Sequence, residues 1–318
     1  TTVGLQNTNI TVRLGDYVFE QLEKGGDVDL KSVKTGDVVG RVSADGILKE
    51  MAFGTWRVGD PGIQYDDTIH AMHTAKNSGR QRSTNPCGEY MFIDDSSCNL
   101  ASLNLLAFSD DSGDFDVDGF KRASRIFAMA QDIANDAASY PVKEIAGISP
   151  EFRTIGLGYA NLGAFLMRNG LAYDSDEGRA MAGAITSIMT GAAYETSAEL
   201  AGAIEPFTHY EFNKDSMMDV MNSHKKSLEE IAWDHVPEKL RVAASDSWDA
   251  AIVAGEENGY RNAQATLLAP TGTIAYLMGC DTTGVEPAFA LSIQKDLSGG
   301  GTITLANKEV SNALKNLE

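Results

Sequence analysis

The chain has 318 residues, 43% of them hydrophobic, enough for the core of one large domain or two modest ones. Its 45 acidic and 26 basic residues give a formal net charge of −19. This charge argues against nucleic-acid or anionic-membrane partners, because their phosphates would be repelled. No membrane span or secretory signal is recognisable, and three cysteines without a CxxC pair indicate a reducing compartment. We therefore expect a cytoplasmic protein.

The first third of the chain predicts short, alternating elements. Residues 12–26 repeat apolar positions at helical spacing and end in glycines, as a surface helix would. Residues 27–46 alternate and turn on Gly, which predicts a hairpin. Residues 47–64 return to a helical pattern that should stop before Asp60 and Pro61. A largely extended stretch should then begin at residue 83.

The remainder is mostly helical in pattern. An acidic loop at 109–119 can cap a helix over 120–139. The next predictions are long helices that pack closely at 156–170 and 176–202, an irregular region with helical patches at 205–240, and a helix at 245–259. Strand, turn and helix are predicted at 262–279, and strand, Gly run, strand and helix at 287–318. Helices that alternate with short apolar strands favour one α/β body with parallel strands, and a barrel is one form of such a body.

The sequence NPCGE at 85–89 is a candidate reactive site. Pro86 biases the preceding residue away from the helical region, so we expect a strand or a loop tip. In an extended chain, alternate residues share a face, and Asn85, Cys87 and Glu89 would point together. An amide, a thiol and a carboxylate suit chemistry on a hydroxylated carbon. Alternatively, Cys87 is a small buried hydrophobe and its two neighbours serve the turn.

Cys98 and two histidines have competing interpretations. Cys98 is either a core residue ahead of an apolar run or a redox thiol, which needs a partner cysteine with its Cα within about 7 Å. His70 and His73 precede both cysteines, but HxxH spacing fits no common zinc pattern without a paired CxxC. We therefore expect no metal site formed by these side chains.

A possible anion site follows the apolar stretch that ends at Ala269. Free N–H groups at the start of a helix, with Gly allowing close approach, can bind an anion, although no Walker A lysine is present. A capped helix with nothing bound is the alternative. The turn consists of Pro270, Thr271, Gly272 and Thr273. Residues 278–291 are polar and predict a loop near this turn.

A dinucleotide fingerprint is not supported. In GLGYANLG the third glycine, Gly163, comes two positions later than GxGxxG spacing requires. These glycines are better explained by close helix packing.

Together, several segments resemble the catalytic chain of ribonucleotide reductase, most closely the adenosylcobalamin-dependent class II type. In chain order they are LQNTNITVR, GDPGIQYDDTI, NPCGEYMFIDDSSCNLASLNL, GLGYANLGAFLMRNGLAYDSDEGRA, MTGAAYETSAELA, YRNAQATLLAPTGTI, CDTTGVEP and LSGGGTITLANKEV. The resemblance implies that residues 1–318 are one catalytic region of a ten-stranded α/β barrel. Its central finger loop would carry the radical cysteine.

The resemblance also implies roles for individual residues. Cys87 would form the thiyl radical that removes the 3′ hydrogen of the ribose, Glu89 would act as base on the 3′ hydroxyl, and Asn85 would orient the ribose. Cys98 would be one of the two reducing thiols. Residues Pro270 to Thr273, with Ile274 opening the helix, would bind the phosphates of a ribonucleoside di- or triphosphate. The implied cofactor is adenosylcobalamin.

Three departures from the family pattern stand out. The second reducing cysteine belongs to a strand upstream of residue 1, Cys280 matches a different position, and no C-terminal cysteine pair follows. We therefore expect an incomplete barrel that is inactive without a complementing N-terminal chain and a thiol reductant such as thioredoxin. A homo-oligomer is possible. The alternatives are an iron-dependent class I chain and a catalytically silent nucleotide-binding or assembly subunit.

Overall fold

The computed structural model describes residues 8–296 and 299–317. These residues fall into two compact units, one up to His73 and the other from Thr74 onward. Within the described residues, no helix combines the length and the apolar character needed to cross a bilayer.

The first unit contains two small sheets. Its elements are β1 (Thr11–Leu14), α1 (Asp16–Glu23), β2 (Asp27–Lys31), β3 (Val38–Ser43), α2 (Ala44–Val58), β4 (Gly62–Tyr65) and α3 (Asp66–Ala71). Strands β1 and β4 pair in parallel, whereas β2 and β3 form the predicted antiparallel hairpin. Ser43 caps α2 by accepting a hydrogen bond from Gly46 N at 3.2 Å. Gly59, with φ of 86°, ends it, which confirms the helix stop predicted before Asp60.

The second unit carries most of the core. Its elements are β5 (Asn99–Asn104), α4 (Val117–Ala137), α5 (Lys143–Phe152), β6 (Ile155–Ala160), α6 (Leu162–Arg168), α7 (Asp176–Ala203), α8 (Tyr210–Ser227), α9 (Glu238–Asn258), α10 (Gly272–Leu277), β7 (Ser292–Asp296), β8 (Thr302–Ala306) and α11 (Val310–Asn316). The predicted cap of α4 is confirmed, because Asp116 accepts a hydrogen bond from Gly119 N. Residues 210–227 form one regular helix, which is longer than the helical patches predicted within the irregular region.

A short parallel sheet positions the candidate site. Strand β5 pairs in parallel with β6, and residues 264–267 run along the other edge of β6. The backbone hydrogen bonds on that side are Ile155 N to Gln264 O at 2.9 Å, Leu157 N to Ala265 O at 3.0 Å and Leu267 N to Leu157 O at 3.0 Å. The parallel pairs confirm the α/β class. The barrel that they belong to is partial.

The prediction of one long helix over 156–170 was wrong, because residues 155–160 form strand β6. Every residue of β6 is buried, and a strand buried on both faces reads as a continuous apolar run that periodicity cannot distinguish from a buried helix. The close packing expected of its glycines is present, but against the extended segment 264–267 and not against a helix. A Cβ on Gly158 would lie 2.4 Å from Leu267 O.

Candidate active site

The NPCGE sequence forms the tip of a tight loop. Thr84 and Met91 make an antiparallel bridge at its base, and Gly88 N donates to Asn85 O at 3.1 Å. Asn, Pro and Gly occupy the first, second and fourth positions of a type I turn, where each is favoured. The extended conformation expected for Asn85 to Glu89 was therefore wrong, whereas the loop tip is confirmed. The Cys87 thiol is exposed at this tip.

The side chains on either side of Cys87 differ in how they are held. Asn85 Oδ1 accepts a hydrogen bond from Tyr90 N at 3.0 Å, which orients the amide and leaves its Nδ2 without a protein partner among the described residues. Glu89 Oε2 is buried and has no hydrogen-bond partner among the described residues. A buried carboxylate oxygen in that state is costly, so it is a candidate acceptor for a ligand hydroxyl.

Cys98 lies directly before β5. Its thiol is half-buried and donates to Asn99 O at 3.6 Å. Burial, and secondarily the charge of Glu89, raise the pKa of the Cys98 thiol to about 12. The partner cysteine that the redox interpretation requires stays a prediction.

The predicted anion turn opens α10 at the carboxyl end of the 264–267 segment. Within the helix, Ala275 N donates to Thr271 O at 3.2 Å, so the N–H groups before it have no intrahelical partner. Gly272, Thr273 and Ile274 are exposed. The loop predicted nearby is confirmed, because Thr271 N donates to Thr283 O at 2.6 Å.

Asn161, which sequence reasoning did not single out, fastens that loop to the sheet. It is fully buried at the end of β6 and has a φ of 75°. Its Oδ1 accepts from the N–H groups of Asp281 and Thr282, both at 3.0 Å. Its Nδ2 donates to Asn104 Oδ1, at the end of β5, at 2.9 Å. The carboxyl ends of the parallel strands thus converge on the loop beside the turn, where α/β sheets bind ligands.

The structure does not bring all of the predicted residues to one point. Cys98 precedes β5, whereas the turn at 270–274 follows a segment parallel to it, so they lie toward opposite ends of the sheet. The rings of His70 and His73 lie 5.6 Å apart. Within the part of the chain that the structure describes, no group of three or more His, Cys, Asp or Glu side chains could hold a metal ion.

Comparison with known proteins identifies the family of this chain. A family model described as "Ribonucleotide reductase, barrel domain" matches residues 2–318. A vitamin B12-dependent ribonucleotide reductase of Streptomyces coelicolor is 45% identical over 322 residues, which cover 100% of this chain and 33% of that protein. The protein of the same name from Rhodopirellula baltica is 45% identical, over 99% of this chain and 30% of its own length.

A more distant relative is the vitamin B12-dependent ribonucleoside-diphosphate reductase of Thermoplasma acidophilum. It is 27% identical over 95% of this chain and 34% of its own length. The chain thus spans about a third of the length of these relatives. With residues 2–318 matching the barrel domain, this chain belongs to the ribonucleotide reductase family.

Proposed function

We propose that this chain is part of a reductase that converts ribonucleotides to 2′-deoxyribonucleotides through a thiyl radical on Cys87. The observation that carries the proposal is the 84–91 loop. It presents an exposed thiol at its tip and, two residues on, a buried carboxylate oxygen that has no hydrogen-bond partner in the described part of the chain. Family membership and the names of the relatives support the same reaction.

The first steps use the loop residues. The Cys87 thiyl radical takes the hydrogen atom from C3′ of the ribose, which forms S–H and leaves the radical on C3′. Glu89 accepts the proton of the 3′ hydroxyl, a role for which a carboxylate must lie within hydrogen-bond reach. The Nδ2 group of Asn85 donates to the ribose, because its Oδ1 is already held by Tyr90 N.

Cys98 takes part in the reduction. The 2′ hydroxyl leaves as water after receiving a proton, and two thiols supply two electrons while they close to a disulfide. The high pKa of Cys98 keeps it protonated at neutral pH, so it enters the reduction as a thiol. The second thiol would come from a complementing segment outside residues 1–318, and a thiol protein such as thioredoxin would reopen the disulfide.

The phosphates of the substrate would bind the turn formed by residues 270–274. Exposed N–H groups at the start of α10 suit an anion, and the two hydrogen bonds from Thr271 to Thr283 O fix the turn before a ligand arrives. This arrangement serves a ribonucleoside diphosphate or triphosphate.

Adenosylcobalamin is the cofactor that the relatives' names support. When bound, it supplies the radical by homolysis of its cobalt–carbon bond. The tip of the loop fits access by so large a group, because Cys87 is exposed and a Cβ on Gly88 would have no heavy atom within 4 Å. A cytoplasmic location and assembly with further reductase chains, including copies of this one, complete the proposal.

The test is electron paramagnetic resonance of the assembled reductase with adenosylcobalamin, a ribonucleotide and an effector, followed on the millisecond scale. We expect a coupled cobalt and thiyl signal that Cys87→Ser abolishes, together with a loss of turnover of at least about a thousandfold. Cys280→Ser is the matched control and should keep both. Full turnover in Cys87→Ser would contradict the assignment. Nucleotide binding without signal or turnover in the unsubstituted protein would favour a silent subunit.

A further inference from the structure

We propose that Tyr90 is a positioning residue that couples the loop carrying Cys87 and Glu89 to the reducing thiol Cys98. This inference rests on the proposed function and adds a residue to it. Tyr90 follows Glu89 directly and lies at the base of the loop. Both its backbone and its side chain make hydrogen bonds there, and the two sets of bonds reach different parts of the site.

The backbone of Tyr90 closes the loop. Tyr90 O accepts from Asn85 N at 3.3 Å, and Tyr90 N donates to the side-chain Oδ1 of Asn85 at 3.0 Å. A short loop with a fixed base restricts the positions available to the residues at its tip. Tyr90 therefore sets the orientation of the Asn85 amide and the distance over which Cys87 and Glu89 can move.

The side chain of Tyr90 reaches the segment that ends in Cys98. Its hydroxyl donates to Ser96 Oγ at 2.9 Å and shares a 2.9 Å hydrogen bond with Thr154 Oγ1. It also lies 3.4 Å from Ser97 O, which accepts from Thr154 Oγ1 at 2.6 Å. Thr154 is fully buried at the start of β6. One hydroxyl thus connects the loop to the residues that precede β5 and to the residue that precedes β6.

This connection explains why the two thiols can act in sequence. Nothing in the backbone between Met91 and Ser97 forms a regular element, so the chain path alone does not fix Cys98 relative to Glu89. The Tyr90 hydroxyl supplies that restraint, because it bonds to Ser96 Oγ and to the carbonyl of Ser97, the residue directly before Cys98. Loss of the hydroxyl should loosen the 96–98 segment and expose the Cys98 thiol.

The first measurement is the pH profile of Cys98 alkylation by iodoacetamide in the assembled reductase, read by mass spectrometry. Because burial is the main cause of the high pKa of Cys98, Tyr90→Phe should move the profile to lower pH and speed alkylation at pH 8 at least about threefold. Thr154→Val should act in the same direction. Tyr260→Phe, which removes a buried hydroxyl bonded to Ala251 O at 3.0 Å, is the matched control and should leave the profile unchanged.

The second measurement is a single turnover followed by quenching. Tyr90→Phe should slow oxidation of Cys98 about tenfold, while the Cys87-dependent radical signal forms at the normal rate and the KM for nucleotide stays the same. An unchanged alkylation profile, or normal Cys98 oxidation despite a shifted profile, would overturn the role of Tyr90. Absence of any turnover in the unsubstituted protein, with the profile shift present, would instead reject the proposed function.

Discussion

The loop at 84–91 and the turn at 270–274 are two ways of holding a functional segment. The loop carries its thiol into solvent and is fastened at its base through Tyr90. The turn is fastened from behind, by Thr283 and by the buried amide of Asn161. In the proposed function, the Cys87 thiol must be reachable by the substrate and the cofactor, whereas the N–H groups of the turn must point in a fixed direction to bind phosphate. We therefore expect loop changes to alter kcat and changes near the turn to alter KM.

The largest effect should come from the loop. Glu89→Gln keeps the size of the side chain but removes the base, so kcat should fall about 10² to 10⁴-fold with little change in KM. Steady-state turnover of the assembled reductase measures both constants. Glu151→Gln, at an exposed carboxylate that pairs with His209, is the control and should leave kcat unchanged. A rise in KM with an unchanged kcat after Glu89→Gln would show that this carboxylate binds the substrate and does not act as the base.

The sheet that carries the turn offers the next largest effect. Gly158→Ala would place a Cβ 2.4 Å from Leu267 O, a backbone atom that cannot move aside without displacing the segment that leads to the turn. We expect the free energy of unfolding to drop by about 1–3 kcal/mol, as measured by denaturant unfolding. Gly147→Ala, where a Cβ meets nothing within 4 Å, should not destabilise the protein. Equal stability of the two variants would show that β6 and the 264–267 segment can move apart to accept the added Cβ.

A smaller effect should isolate the turn. Asn161→Gly keeps the left-handed backbone accessible but removes the acceptor for the N–H groups of the 281–283 loop. The KM for the nucleotide should rise about tenfold at similar kcat. Asn213→Ala, at another fully buried amide that accepts from Asn77 N at 3.0 Å, should lower stability without this change in KM. An equal rise in KM after Asn213→Ala would show that the effect of Asn161→Gly reflects a general loss of packing and not the loss of its bonds to the loop.

Local features of the fold were predictable from the sequence. The hairpin of β2 and β3, the end of α2 at Gly59 and the Asp116 cap of α4 each depend on a few adjacent residues. Strand β6 was not predictable in the same way, because burial on both faces removes the alternation that marks a strand.

In the candidate site, too, residues in local motifs were predictable, whereas residues that act through distant partners were not. Cys87, Glu89 and the turn at 270–274 stand in short motifs, so the sequence indicates them directly. Asn161 and Thr154 act through partners 121 and 64 positions away in the chain, and only the fold brings them together. Tyr90 had one local signal, its place directly after Glu89, but the contacts of its hydroxyl depend on the pairing of β5 with β6.

Under the proposed function, the Glu89 oxygen that has no hydrogen-bond partner among the described residues also predicts which sugars can bind. A ribose that presents a hydroxyl to this oxygen completes its hydrogen bonding, whereas a sugar without that hydroxyl leaves the oxygen buried and unsatisfied. Sites of this kind discriminate strongly against the analogue that lacks the group. If Glu89 is the proposed base, it would therefore exclude 3′-deoxy nucleotides, so that substrate selection and proton removal depend on one side chain.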